Sequence, residues 1–142
     1  MKELVSCIIP EGDLPGAASL HVHDFVWIMV DDCMSEENQS MFLNGLKDFD
    51  NHIEKITGNS FYSLNQKERE EALNALITDS TESTEATPED LKLFVSTTKR
   101  FTAFGYMKSE YIMTEIMPYK LIPGTYGSCE IIDNSKRANI NG

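Results

Sequence analysis

Three side chains in the first quarter of the chain, His21, His23 and Asp24, are of the types that bind transition metals. Imidazole nitrogens with a carboxylate are typical ligands of zinc or iron. Residues two apart on a helix point about 200° apart, however, so helical geometry predicts that the two histidines diverge. The third histidine, His52, is distant in sequence. We therefore interpret these side chains as polar residues at the start of a helix and expect no metal site. A metal-dependent enzyme that uses His21, His23 and Asp24 stays an alternative.

The other candidate for chemistry is a serine beside an acid, Ser109-Glu110. No GxSxG motif surrounds this serine, and no histidine is placed by sequence to complete a triad. The chain also lacks the GxGxxG and Walker motifs that bind dinucleotides or triphosphates. We predict that Ser109 is a helix N-cap, and that this chain carries neither catalytic residues nor a cofactor.

Composition excludes several classes of partner. The chain has 142 residues, the size of one domain, and a net charge of −11. Such a charge repels nucleic acid and anionic membrane surfaces, and no cluster of Lys and Arg offsets it. No apolar run approaches the roughly 20 residues that span a bilayer. The three cysteines form no CxxC pair, so a zinc knuckle or thioredoxin-type motif is not expected.

Hydrophobic periodicity predicts two helices in the first part of the chain. The first runs from about Ala17 to Cys33, along an apolar stripe that includes Phe25 and Val26. The second follows an N-cap at Ser35 and stops at Gly58. Its buried seam has spacings of four and three residues and comprises Phe42, Leu46, Phe49, Ile53 and Ile56.

Further helices are predicted from local start signals. Ser63 and Gln66 form a capping box for a third helix, which ends before a polar stretch, residues 78–85, that we predict to be a mobile loop. The segment Thr87-Pro88-Glu89-Asp90 begins a fourth helix. Gly105 interrupts it, and a shorter fifth helix runs from about Met107 to Met117.

These elements predict an all-α protein of one domain, residues 1–142. Residues 17–117 form an irregular bundle of four to five helices. Residues 1–16, in which Pro and Gly disfavour regular structure, form an extended N-terminal segment. Residues 118–142 form an extended C-terminal tail.

The tail contains large apolar groups such as Tyr119, Leu121 and Tyr126, which helical packing does not bury. They either cover the bundle or contact another protein, a task that suits segments held extended by proline. Cys129 is the cysteine expected to bridge to another chain in an oxidising compartment, and an inert thiol is the alternative. The methionines, including Met113, favour either an adaptable binding surface or core filling.

Several short segments, in order, resemble one family. They are Ile8-Ile9-Pro10, Asp13, Pro15-Gly16-Ala17 and Val22-His23-Asp24-Phe25, then Phe104-Gly105-Tyr106 with Ser109-Glu110, and finally Pro123-Gly124, Tyr126 and Cys129. From about Cys7 to Ile132 the chain resembles the gluconate 2-dehydrogenase subunit 3 family, the small subunits of flavin-dependent sugar dehydrogenases.

The resemblance implies a non-catalytic accessory subunit that stabilises a large, FAD-containing subunit of the glucose-methanol-choline type and, in many members, takes it through twin-arginine export. It leaves open whether a cytochrome c subunit completes the complex. It implies a periplasmic location, whereas the sequence as given has no twin-arginine motif, which by itself indicates the cytosol. A stand-alone helical binding module is the remaining alternative. The residues expected at the partner interface are Pro15, Gly16, Tyr106, Met113, Met117, Tyr119, Pro123, Gly124, Tyr126 and Cys129.

Overall fold

The protein is an irregular bundle of α-helices, as predicted. The computed structural model describes residues 1–81 and 88–117, and within these the regular elements are all helical. The five α-helices are α1 (Lys2–Ile8), α2 (Val22–Cys33), α3 (Glu36–Thr57), α4 (Gln66–Thr81) and α5 (Glu89–Met107). A 3₁₀ turn spans Phe61–Ser63, and a π-helical turn spans Ile112–Ile116. The predicted tail, residues 118–142, lies outside the described residues.

The helix α3 begins and ends where the sequence predicts. The Ser35 hydroxyl accepts a hydrogen bond from the Asn38 amide at 3.4 Å, and Gly58 closes the helix with a φ of 77°. A residue without a Cβ adopts this left-handed conformation at little cost. In the predicted seam Phe42, Phe49 and Ile53 are buried, whereas Ile56 is exposed. The seam therefore faces the core until the last turn of the helix.

The helix α4 has a capping box, but at a different pair of residues from the one predicted. The Asn65 side chain accepts from the Glu68 amide at 3.0 Å, and the Glu68 carboxylate accepts from the Asn65 amide at 2.9 Å. Ser63 instead closes the preceding 3₁₀ turn, with its hydroxyl donating to the Ser60 carbonyl. The helix also continues to Thr81, so the first part of the predicted loop is helical, and residues 82–87 lie outside the described residues.

The N-terminal segment, residues 1–16, is helical in its first half, which corrects the prediction of an extended conformation. The helix α1 buries Leu4 and Val5. Together with Ile8 these residues have the i, i+1, i+4 spacing of a helical face, and that burial outweighs the Pro and Gly that follow. Residues 9–16 lack a helix.

The start of α2 also differs from the prediction, because it lies at Val22 rather than at Ala17. The Ala17 amide donates to the Ile9 carbonyl, while its own carbonyl accepts from the Val22 amide, both at 3.0 Å. Residues 17–21 are therefore a turn. His21 ends this turn with a φ of 55°, a left-handed conformation that a right-handed helix cannot contain.

The core is a row of aromatic rings between α3 and α5. The centre of the Phe94 ring lies 4.9 Å from that of Phe42 and 5.5 Å from that of Phe49. The ring centres of Phe49 and Phe61 lie 5.1 Å apart. Such tilted pairs add to the free energy gained by burial. The helices approach closely enough that Gly45 has no room for a side chain.

Gly105 does not interrupt the fourth predicted helix, since α5 runs through it to Met107. A Cβ at this position would lie 2.5 Å from Cδ1 of Phe25, so the glycine allows α2 to pack closely against α5. The start of α5 lies one residue later than predicted, with Pro88 as the N-cap.

Arg69 joins three parts of the fold. Its guanidinium donates to the Phe61 carbonyl at 3.0 Å and to the Tyr62 carbonyl at 2.8 Å, and it pairs with the Glu3 carboxylate. The same group lies over the Phe61 ring, 5.4 Å from its centre. This side chain therefore ties α1 and the 3₁₀ turn to α4.

Candidate functional site

An apolar groove lies between α2 and α3. It has a volume of about 340 Å³ and is lined by Trp27, Ile28, Val30, Asp31, Gln39 and Leu43. Ile28 is 56% exposed and Leu43 is 45% exposed. The Gln39 amide fixes the corner of the groove by donating to the Asp31 carbonyl at 2.6 Å and to the Met34 carbonyl at 3.2 Å. The groove is therefore held open with its apolar walls in contact with water.

The apolar character continues from this groove towards the C-terminal end of α5. Phe25, one turn before Ile28 on α2, lies 5.9 Å from the exposed ring of Phe104. Met107, one turn beyond Phe104, is also exposed. We call the set Phe25, Trp27, Ile28, Leu43, Phe104 and Met107 the α2 apolar surface. Contiguous apolar surface of this kind, bordered by the carboxylate of Asp31, is typical of a protein contact.

The structure brings together two of the predicted interface residues that lie far apart in sequence. The Tyr106 hydroxyl donates to the Pro15 carbonyl at 3.0 Å, across 91 positions of the chain. Burial, followed by the nearby Tyr111 and Glu11, raises the pKa of Tyr106 above its usual value. This bond fastens the N-terminal segment to the end of α5, next to the α2 apolar surface.

The remaining predicted interface residues have different surroundings. Gly16 is buried, and a Cβ there would lie 2.8 Å from the Glu11 amide nitrogen. Met113 and Met117 are half-buried in and after the π-helical turn. The other five lie outside the described residues: Tyr119, Pro123, Gly124, Tyr126 and Cys129. Their role at an interface stays a prediction.

His21, His23 and Asp24 lie together, so the prediction that the two histidines diverge is wrong. Because His21 precedes α2 and has a left-handed backbone, its ring stacks on that of His23, with 5.7 Å between the centres. Asp24 Oδ2 lies 3.5 Å from His21 Nδ1, and Asp24 Oδ1 lies 3.6 Å from His23 Nε2. His52 lies on α3 and is not part of this group.

Ser109 lies where a helix N-cap is expected. Its carbonyl accepts from the Met113 amide at 3.0 Å, which begins the short helical segment containing the π-helical turn. Its hydroxyl does not cap this segment but donates backwards to the Tyr106 carbonyl at 2.7 Å. The hydroxyl is thus engaged with backbone, and Ser109 fixes the corner after α5.

The comparison with protein families now identifies the chain. The model of the family described as gluconate 2-dehydrogenase subunit 3 matches residues 1–124. The chain belongs to the gluconate 2-dehydrogenase subunit 3 family. The match includes Pro123 and Gly124 and ends before Tyr126 and Cys129, so it begins earlier and ends earlier than the resemblance over Cys7 to Ile132. No curated protein and no solved structure matched the chain.

Membership of the gluconate 2-dehydrogenase subunit 3 family places the chain among the subunits of a dehydrogenase complex. In the described part of the chain, no helix has the length and apolar character needed to cross a membrane.

Sequence reasoning missed most of this surface. A signal was present, since Phe25 to Val30 are six consecutive apolar residues. A helix that is apolar on more than one face is either fully buried or covered by another chain. The neighbouring carboxylates of Asp31 and Asp32 make full burial of the helix unfavourable. An apolar run next to two acids therefore indicates that Trp27 and Ile28 are exposed to another chain.

Proposed function

We propose that this chain is the non-catalytic small subunit that binds and stabilises the FAD-containing large subunit of a sugar, sugar-acid or glycoside dehydrogenase. The large subunit, of the glucose-methanol-choline type, carries the cofactor and performs the oxidation. The observation that carries the proposal is the α2 apolar surface in a member of a subunit family. A chain with this much apolar area in water gains free energy when a partner covers it.

The partner surface follows from the chemistry of the groove. Trp27, Ile28 and Leu43 would receive aliphatic or aromatic side chains, since buried aromatic and aliphatic anchors dominate binding free energy. Asp31 at the rim favours a Lys or Arg beside those anchors. The net charge of −11 would increase the rate of encounter with a basic patch on the large subunit.

A matched pair of substitutions tests this surface. Ile28→Glu should weaken the complex with the large subunit by about 2 kcal/mol or more, roughly thirtyfold in Kd, because it places a carboxylate in an apolar contact. Ile56→Glu is the control, because Ile56 is 46% exposed but lies outside the groove. Affinity would be measured by titrating separately purified chains. Equal affinities for the two variants would contradict the assignment of the surface.

We further propose that the complex reaches the periplasm folded, through the twin-arginine route, and that a cytochrome c subunit can belong to it. Fractionation of cells that produce both subunits tests the location. Large subunit found in the periplasm only when this chain is produced would support co-export. An unchanged location without this chain would contradict it.

Cys129 is proposed to form a disulfide with the large subunit in that oxidising compartment. A non-reducing gel of the exported complex should then show one heavy band, which Cys129→Ser removes. If the wild-type complex and the Cys129→Ser complex give the same band pattern, Cys129 is a free thiol.

A further inference from the structure

The cluster at the start of α2 has the composition and spacing of a metal site. We propose that His21, His23 and Asp24 bind one Zn²⁺ or a similar divalent transition metal. One ligand atom from each residue lies within 4.8 Å of the others. Two imidazoles and one carboxylate are a common set of three protein ligands, which leaves a coordination position for water or another oxygen donor. This inference is independent of the proposed subunit function.

The nitrogen–oxygen distances within the cluster are too long for hydrogen bonds and close to the spacing of two ligands on one metal ion. Two ligands on one Zn²⁺, with bonds of about 2.0–2.1 Å and tetrahedral angles, lie roughly 3.3–3.4 Å apart. The two histidine–carboxylate separations are 3.5 and 3.6 Å, whereas a hydrogen bond between nitrogen and oxygen requires about 2.7–3.2 Å. These two separations end on different carboxylate oxygens, so Asp24 would either bind the ion through both oxygens or turn to present one of them to both histidines. The side chain of His21 is 78% exposed and is free to move.

The surroundings of His23 decide which of its ring nitrogens could bind a metal. Its Nδ1 atom is buried without a hydrogen-bond partner, while Nε2 is too far from Asp24 for a hydrogen bond. Its side chain is only 17% exposed, so water satisfies the ring poorly. A metal on Nε2 would not satisfy Nδ1, so the contribution of His23 to the site is its Nε2 lone pair, which lies beside the Asp24 carboxylate and is available to an ion.

The backbone of His21 is consistent with a functional constraint. It is the one non-glycine residue in residues 1–81 and 88–117 with a positive φ, and this conformation places its ring beside His23. Unusual backbone conformations concentrate at ligand sites. His21 also lines a pocket of about 430 Å³ with Ser19 and Tyr111, through which an oxygen donor could reach the open coordination position.

Zinc titration of the full chain, purified without a histidine tag, tests the proposal. The wild-type protein should bind one Zn²⁺ per chain in competition with a chromophoric chelator. His21→Asn and Asp24→Asn should each weaken binding at least about tenfold, a loss seen even when only a supporting partner of a metal ligand is removed. Both side chains are exposed, and asparagine tolerates a positive φ, so the fold should be retained, as circular dichroism would verify.

His52→Gln is the matched control, because it removes the histidine outside the cluster and should leave the affinity unchanged. Excess Mg²⁺ should not displace the zinc, since Mg²⁺ prefers oxygen ligands. Zinc should shift the imidazole resonances of His21 and His23 and not those of His52. Wild-type affinity in both cluster variants, a loss in His52→Gln, or displacement by Mg²⁺ would overturn the proposal, the last because it would assign binding to the acidic surface.

Discussion

Replacing Gly45 with alanine should destabilise the protein, although glycine to alanine usually stabilises a helix interior. The usual gain is about 0.5–1 kcal/mol. Here the new Cβ would lie 2.2 Å from the carbonyl oxygen of Asp90 and 2.6 Å from Cβ of Phe94, well inside the ordinary contact range of 3.4–4 Å. Because one of these atoms belongs to the backbone of α5, the helices must separate to admit the methyl group.

Forcing an extra methyl group into a packed core costs about 1–3 kcal/mol, and more where backbone must move. We expect a net loss of about 2 kcal/mol, which lowers Tm by about 6 °C for a chain of this length. Urea unfolding followed by circular dichroism gives the free energy, and an unchanged m-value would show that the compactness of the states is the same.

The neighbouring exposed position supplies the control for this experiment. Asn44→Ala also introduces an alanine on the same turn of α3, but at a position that faces solvent. It should change the free energy of unfolding by no more than about 0.5 kcal/mol. If Gly45→Ala is as stable as the wild-type protein, or more stable, then α3 and α5 do not approach as described. The arrangement of the aromatic core between them would then be wrong.

Three further changes have defined outcomes. Arg69→Ala should cost about 2–3 kcal/mol in urea unfolding, because it removes charge-assisted hydrogen bonds between elements. Thr102→Val should raise stability by about 1 kcal/mol, because the Thr102 hydroxyl is buried without a partner. With a thiol reagent at mildly alkaline pH, Cys33 should react quickly and Cys7 slowly, since Cys33 is exposed and burial raises the pKa of Cys7 to about 11.

Each of these outcomes has its own control. Lys67→Ala removes an exposed ion pair from the same helix as Arg69 and should be nearly neutral, so equal losses would contradict the role of Arg69. Thr102→Ser keeps the hydroxyl and should not stabilise, and a gain in both Thr102 variants would refute that reasoning. The thiol experiment uses Cys129→Ser protein, and two equally fast thiols would contradict the burial of Cys7.

The parts of the fold that the sequence predicts correctly have local causes. Ser35 and Gly58 bound α3 because a side-chain cap and a left-handed glycine act within one turn of the helix. The apolar seam starting at Phe42 then follows from the helical period alone. The sequence predicts the capping box of α4 two residues too early, because Ser63 and Asn65 each have a Gln or Glu three residues later. The 3₁₀ turn, which engages Ser63, decides between them.

The parts that the sequence does not predict depend on contacts between distant residues. Gly105 suggests a break in the helix, and its actual role is visible only when Phe25 from α2 lies against it. The divergence predicted for the histidines assumes that His21 is helical, whereas His21 ends a turn with a left-handed backbone, and that turn is joined to the distant Ile9 by the Ala17 amide. The α2 apolar surface likewise results from the packing of α2 against α3 and α5.

The measurement that bears most directly on the proposed function is gel filtration of this chain produced together with the proposed FAD-containing large subunit, recorded at the flavin absorbance. We predict a single peak that contains both proteins in equal amounts, and large subunit that becomes insoluble when this chain is omitted. Separate peaks, with large subunit that is equally soluble and active without this chain, would contradict a role as its small subunit.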